Sequence, residues 1–284
     1  MTMRANKCPY PSVIIPIGTC ALIIFYGLVI DMAKAQFQNL ICIFIVIFFV
    51  FILYQFVYTK KQSPFINDIW VVNLDKDTKR YAYFMNMAKH LPAQINRWPA
   101  TDGRTETRAS ASKEGVSTFL TKSMNNEEVQ KSNVILFKPG VIGCWLSHKR
   151  LLRHLSSLKV DNQYGHFIVE DDIIVPFDFS KKWESLRHTI PTDWDIVYLG
   201  IGGAHGNKIH QNVLQWRNDI YSANWGTYAY LVRHGALPFI LSKLQFMDSP
   251  IDVQFYRHFS PLNIYILDPP LITTGELEST IGQR

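Results

Sequence analysis

The 284-residue chain is 48% apolar and 13% aromatic, enough buried surface to exclude wholesale disorder. Charged residues reach only 18%, against about 25% in a typical globular chain, and the deficit is local: Arg4, Lys7, Asp31 and Lys34 are the only charged side chains before residue 60. The net charge of +6 comes from scattered pairs such as Lys79-Arg80, Lys149-Arg150 and Lys181-Lys182, with no stripe able to neutralise a run of phosphates, which argues against nucleic acid as a partner.

Residues 13–30 form an uncharged apolar run interrupted by Pro16, Gly18, Thr19 and Gly27, and residues 40–58 form a second in which Gln55 is the one amide. Helices of these lengths, rising about 1.5 Å per residue, cover the roughly 30 Å of a bilayer core. Each run is longer than the apolar part of a cleaved signal peptide, and no small-residue cleavage site follows Tyr58. A buried core helix is the alternative, and it is stronger for 13–30, where Pro16 and Gly18 disturb the first turns. With two spans, 31–39 turns the chain back, and the flanking Arg4, Lys7, Lys60 and Lys61 place both ends in the cytosol. Cys144 is the only cysteine beyond the apolar region and 60–284 has no Asn-x-Ser/Thr sequon, in agreement with that side. A single span at 40–58 with a lumenal body is the competing topology. The expected organisation is a membrane anchor at 1–59, a linker at 60–65 and one domain at 66–284.

In that domain, 69–74 (IWVVNL) reads as a strand. Asp77 can N-cap a helix to about His90, which Leu91-Pro92 stops, and 94–98 suggests a second strand. Residues 105–133 are polar with little periodicity and read as a mobile surface loop. Pro139-Gly140 opens a helix to about Leu158, with Ile142, Trp145, Leu146, Leu152 and Leu155 at mostly helical spacing. A strand at 166–169 ends in Glu170-Asp171-Asp172. There follow a helix at 180–189, a buried strand at 194–199, a loose glycine-rich loop at 200–206, a strand at 227–232, a helix at 234–246 and a strand at 263–267. Strands alternating with helices imply an α/β fold with a mostly parallel central sheet. Ligands of such sheets sit at the carboxyl ends of strands, where the acidic triplet falls.

In an extended chain Glu170 and Asp172 point to one side and Asp171 to the other. Three adjacent acids repel unless something positive sits among them, and a hard dication such as Mn²⁺ or Mg²⁺ bridging to a diphosphate would supply that charge. An acidic turn that merely ends a strand explains the triplet equally well. Residues 140–148 (GVIGCWLSH) open a helix whose glycine-bearing N-terminus favours phosphate, with Ser147 and His148 as added donors. Capping glycines and a surface histidine are the plainer reading of that segment. Asp252 fits an N-cap, or a carboxylate that takes a proton from an attacking hydroxyl, with Glu276 and Glu278 as rivals. The glycines of 200–206 match neither G-x-G-x-x-G nor a P-loop, and His205 and His210 read as solvated loop histidines, although either could complete a metal site. With one cysteine in the body, zinc sites built from several thiolates are excluded.

The order of these segments resembles glycosyltransferase family 25. The likeness begins at Val71-Val72-Asn73-Leu74-Asp75 with Arg80, and runs through Arg97-Trp98-Pro99-Ala100-Thr101-Asp102-Gly103 to Gly143-Cys144-Trp145-Leu146-Ser147-His148. It continues through Phe167-Ile168-Val169-Glu170-Asp171-Asp172, Trp194-Asp195-Ile196-Val197-Tyr198-Leu199-Gly200 and Gly226-Thr227-Tyr228-Ala229-Tyr230, and closes at Pro250-Ile251-Asp252. One position departs: Val141 stands where the family usually has an acid. The resemblance implies a GT-A-like nucleotide-sugar-binding fold and inverting transfer of a hexose, galactose or glucose, from a UDP-sugar to a glycan, lipid-linked or protein hydroxyl. It also implies that Asn73, Arg80 and Asp102 lie near the nucleotide and Ser147 and His148 beside the donor. Glu170, Asp171 and Asp172 are then the element that holds Mn²⁺ (or Mg²⁺) and ribose, with Glu170 and Asp172 as metal ligands and Asp252 as base or acceptor contact. A metal-dependent phosphohydrolase using the same acids, and a catalytically silent membrane or interaction protein with a degenerate transferase fold, are the alternatives.

Overall fold

The computed structural model describes residues 37–38, 43–50, 62–123, 138–217 and 224–275. The chain divides into two units, Met1–Lys60 and Lys61–Arg284. In the first, residues 43–50 are helical, with Phe44, Ile47 and Phe48 exposed. The span expected at 13–30 lies outside the described residues, as does all of the one at 40–58 apart from this stretch. Among the described residues no helix is long and apolar enough to cross a membrane.

The second unit runs β1 (Asp68–Asn73), α1 (Thr78–Met87), β2 (Ile95–Pro99), α2 (Arg108–Lys113), α3 (Thr118–Ser123), α4 (Pro139–Ser156), β3 (Gly165–Glu170), β4 (Ile173–Ile174) and α5 (Phe179–Arg187). It continues with β5 (Ile196–Gly202), β6 (Gly206–His210), β7 (Val213–Trp216), β8 (Trp225–Arg233), α6 (Leu237–Lys243), α7 (Ile251–His258), β9 (Ile264–Leu267) and β10 (Thr273–Thr274). One large sheet has the order β2-β1-β3-β8-β5-β9-β7-β6, and β4 pairs with β10 separately. Period-two alternation divides the core between the two faces of the sheet. Phe167 and Val169 pack with Phe84, Phe179 and Trp183. Ile168 between them packs on the other face in the cluster of Trp145, Leu152, Ile240 and Phe255. At roughly 1.5–3 kcal/mol for each large apolar side chain buried, these two layers are the main source of stability.

The sheet is mixed, which corrects the expectation of a mostly parallel one. β1 runs parallel to β2 and β3, and β5 to β9. β8 is antiparallel to both β3 and β5, and β7 to both β9 and β6. Between β5 and β8 the described residues contain the β6–β7 hairpin and no helix. The consequence for function is local. The first residues of β8 lie at the same sheet edge as the last residues of β3, because Val169 is in register with Ala229.

Two expected loops are structured. Over 105–123 the polar stretch folds as α2 and α3; its remaining residues, 124–133, lie outside the described residues. Thr107 caps α2 by accepting from the Ser110 amide at 3.2 Å, and Ala111, Val116 and Leu120 join the core. Glu106 and Glu114 pair with Arg150 and Arg153 of α4 at 3.0 and 2.7 Å. In 200–206, β5 extends through Gly202, where a Cβ would sit 2.3 Å from Trp225 Cε2, so glycine lets the indole lie flat against the strand. Asp77 stands at the start of α1 but its side chain makes no capping hydrogen bond.

Helices α4, α6 and α7 are tied together by Gln254. Its Oε1 accepts from the buried Trp145 indole at 2.6 Å, and its Nε2 donates to the carbonyls of Phe246 at 2.6 Å and Lys243 at 3.2 Å. Replacing Gln254→Leu leaves the Trp145 N–H unpaired in the core, so urea unfolding should show a loss of roughly 1–3 kcal/mol. An unchanged midpoint would contradict this role.

Candidate functional site

An open cleft lies at the carboxyl ends of β1 and β3, bounded by α1, residues 100–104 and the first turns of α4. Its floor is a main-chain contact. A Cβ on Gly103 would meet the Pro139 carbonyl oxygen at 1.8 Å, and one on Gly143 would meet the Thr101 oxygen at 2.5 Å. Ser147, almost wholly buried, locks the contact: its Oγ donates to the Gly143 carbonyl at 2.6 Å and accepts from the Thr101 amide at 2.8 Å. Arg150 adds a bond to Thr101 Oγ1 at 2.9 Å. Ser147 lines the cleft, but its hydroxyl is committed to the wall rather than offered to a phosphate.

All three acids of the triplet line the cleft. Asp171 is the most buried; it accepts from Asn73 Nδ2 and from Arg80 Nη2, each at 2.5 Å. The same guanidinium nitrogen reaches Asp172 Oδ2 at 3.1 Å. Glu170 instead accepts from Thr227 Oγ1 of β8 at 3.2 Å and lies 3.6 Å from His148 Nε2. The expectation that Asp171 faces away is corrected, because β3 ends at Glu170 and the chain turns at 171–172, where strand alternation no longer applies.

The electrostatics are unbalanced. Burial pushes the Asp171 carboxyl above its ordinary value, even though Asn73 and Arg80 oppose the shift. Burial, followed by the charge of Glu170, pushes Asp172 up to about 6. The Arg80 guanidinium is shared by Asp171 and Asp172, and Asp172 Oδ1 is buried without a partner. An orphaned carboxylate oxygen among oxygen donors fits a hard dication, with Asp172 and Glu170 as ligands and Asp171 held by Arg80.

His148 is 1% exposed, not a surface histidine. Its Nδ1 lies 3.0 Å from the Tyr230 hydroxyl, while Nε2 faces Glu170 and Thr227. Cys144, one helical turn before it, brings its sulfur, the imidazole and the Glu170 carboxylate within 4.8 Å of one another. Burial, reinforced by Glu170 and Asp252, pushes the Cys144 thiol well above its ordinary value. Val141 is buried in the core of α4, where Gly140 and Cys144 supply that helix's approach to the cleft.

Asp252 is not the N-cap of α7, a place taken by Pro250. It lies one residue inside the helix, where Oδ2 accepts from the Gly226 amide at 2.9 Å and Oδ1 from the Val253 amide at 2.8 Å. It stands beside the cleft rather than among its lining residues. Asn73 is likewise behind the lining, buried beneath Asp171. Asp102 lines the cleft, paired with Lys76 and bonded by the Arg104 amide at 3.0 Å. Burial opposes its ionisation, but the Lys76 hydrogen bond and the Arg104 amide hold it below the usual carboxylate range. His205 and His210 are exposed and stay outside the cleft. Glu276 and Glu278 lie outside the described residues. Sequence reasoning missed Asp77 and Arg104 as lining residues; the signal for Asp77 was its acid two residues beyond β1-edge Asp75, masked by its fit to a cap.

An α/β domain whose strands end in an acid-lined cleft fits a glycosyltransferase. Residues 66–254 match the family described as Glycosyltransferase family 25 (LPS biosynthesis protein), and the chain belongs to that family. It is similar to a Glycosyltransferase 25 family member of Drosophila pseudoobscura pseudoobscura, 24% identical over 224 residues that cover 70% of this chain and 32% of that protein. It is also similar to Procollagen galactosyltransferase 1-A of Xenopus laevis, 27% identical over 135 residues that cover 44% of this chain and 21% of that protein. The chain thus spans about a third or less of the length of these relatives.

The raised Asp172 makes a pH-dependent prediction. Its folded value, about 6, lies above the ordinary 3.8, so ionising it costs folding free energy above pH 6, and that cost vanishes as pH falls below about 4. Asp172→Asn should therefore stabilise the metal-free protein at pH 7.5 by on the order of 3 kcal/mol. The gain should shrink between pH 6 and 4 in chemical unfolding. A variant destabilised at pH 7.5 would contradict the electrostatic account.

Proposed function

We propose that the chain is a metal-dependent, inverting glycosyltransferase that moves a hexose, galactose or glucose, from a UDP-sugar to an acceptor hydroxyl. The observation that carries this reading is the buried, unpartnered Asp172 Oδ1 in an acidic cleft, its other oxygen paired with Arg80. Asp172 and Glu170 would hold Mn²⁺ or Mg²⁺, which when bound supplies Lewis-acid neutralisation of the diphosphate leaving group. Arg80 and Asn73 hold Asp171 so that the triplet presents a fixed set of oxygens. Gly140, at the positive N-terminal end of α4, and Arg104 at the cleft mouth face the space a diphosphate would take. Two backbone amides orient the Asp252 carboxylate, which suits it to take the proton of an acceptor hydroxyl on the opposite face of the sugar. The acceptor is a glycan, a lipid-linked sugar or a protein hydroxyl; the Xenopus relative is named for procollagen.

We further propose that 1–59 anchors the domain to a membrane and that the flanking Arg4, Lys7, Lys60 and Lys61 keep it on the cytosolic side. In sealed vesicles, protease added outside should then cut at Lys60-Lys61 when the cytosolic face is outward. Protection until detergent is added would put the domain in the lumen.

Transfer or hydrolysis of UDP-galactose and UDP-glucose should require Mn²⁺ or Mg²⁺. Asp172→Ala should lower kcat/KM by at least about a hundredfold with native circular dichroism, and Asp252→Asn should lower kcat by roughly 10²–10⁴. Turnover that survives Asp172→Ala unchanged refutes the metal assignment, and no turnover of any nucleotide sugar refutes the transferase reading.

A further inference from the structure

We propose that Cys144 Sγ, His148 Nε2 and Glu170 Oε1 form a second cation site, selective for a dication of zinc character, on the α4 side of the cleft. The three ligand atoms lie within 4.8 Å of one another. Tetrahedral bonds of about 2.0–2.3 Å would bring them to roughly 3.5 Å apart, a closure within reach of side-chain rotation. Cys144 and His148 are four residues apart on α4 and so share one helix face, with Glu170 approaching from the end of β3.

The donor set distinguishes this site from the acids around Asp172. A thiolate, an imidazole and one carboxylate suit a borderline-soft ion, whereas oxygen-only ligands suit Mg²⁺ or Mn²⁺. The imidazole is already oriented: Tyr230 OH stands 3.0 Å from Nδ1, on the side away from Glu170, the kind of outer partner that fixes a metal-binding ring. All three residues line the cleft, so an ion has a route in and a fourth coordination position open to the cleft. Binding replaces the Cys144 S–H bond by a sulfur–metal bond and releases that proton to solvent. On the reading proposed above, Glu170 also serves the donor-side metal, so zinc at this site would oppose Mn²⁺ rather than add to it.

Cobalt titration of the full-length protein tests the site, because a thiolate bound to Co²⁺ gives a sulfur-to-metal charge-transfer absorption. The native chain and Asp172→Ala should both show the band and lose it on addition of Zn²⁺. Cys144→Ser, which retains Cys8, Cys20 and Cys42, should lose the band and bind zinc at least about tenfold more weakly, and Tyr230→Phe should keep the band while weakening zinc binding by about tenfold. No band in the native protein, or a band that persists in Cys144→Ser, overturns the proposal. The readout needs no nucleotide sugar, so a failure of transfer activity and a failure of this site are told apart.

Discussion

The geometry at the end of β3 depends on one guanidinium. Glu170, Asp171 and Asp172 follow one another out of a buried strand, and in a region shielded from water their mutual repulsion is poorly screened. Arg80 of α1 bridges Asp171 and Asp172, Asn73 at the end of β1 holds Asp171 from the other side, and Thr227 of β8 draws Glu170 apart from the pair. Three stretches distant in sequence, β1 with α1, β3 and β8, thereby meet at one sheet edge. Burial, and after it the charge of Glu170, raises the pKa of Asp172, whose Oδ1 is left without a partner. Local conflict of this kind, kept in place by a well-packed surround, is characteristic of sites that await a ligand rather than of sites built for stability.

The strand orientations matter to this arrangement. Since β8 runs against β3, its beginning lies where β3 ends. Gly226, Thr227 and Tyr230 therefore supply, from one strand, the amide that orients Asp252, the hydroxyl that holds Glu170 and the phenol that faces His148. A parallel strand in the same slot would have presented its far end here.

Much of the architecture is readable in the residues themselves. The strands around 69–74, 166–169, 194–199, 227–232 and 263–267 are short apolar or β-branched runs, and α4 carries a helical apolar stripe from Ile142 to Leu155, so burial and periodicity point the same way. The acidic triplet was legible for the same reason: nothing apolar explains three carboxylates directly after a buried strand. Strand direction was not legible, because it depends on the connections between strands rather than on their composition. The α2 and α3 turns were missed since Ala111, Val116 and Leu120 are too few to mark a helix, and their anchoring ion pairs come from α4. The burial of His148 and the diversion of Ser147 to the wall are tertiary facts, set by Tyr230 and Thr101, which no local pattern announces.

The glycine pair in the cleft floor has a wider implication. Where Gly103 meets Pro139 and Gly143 meets Thr101, backbone touches backbone with no side chain between them. Spacing at that point is set by van der Waals radii and not by rotamers, like a calliper locked at one setting. Side chains elsewhere along the lining can then be exchanged while this part of the cleft keeps its dimension.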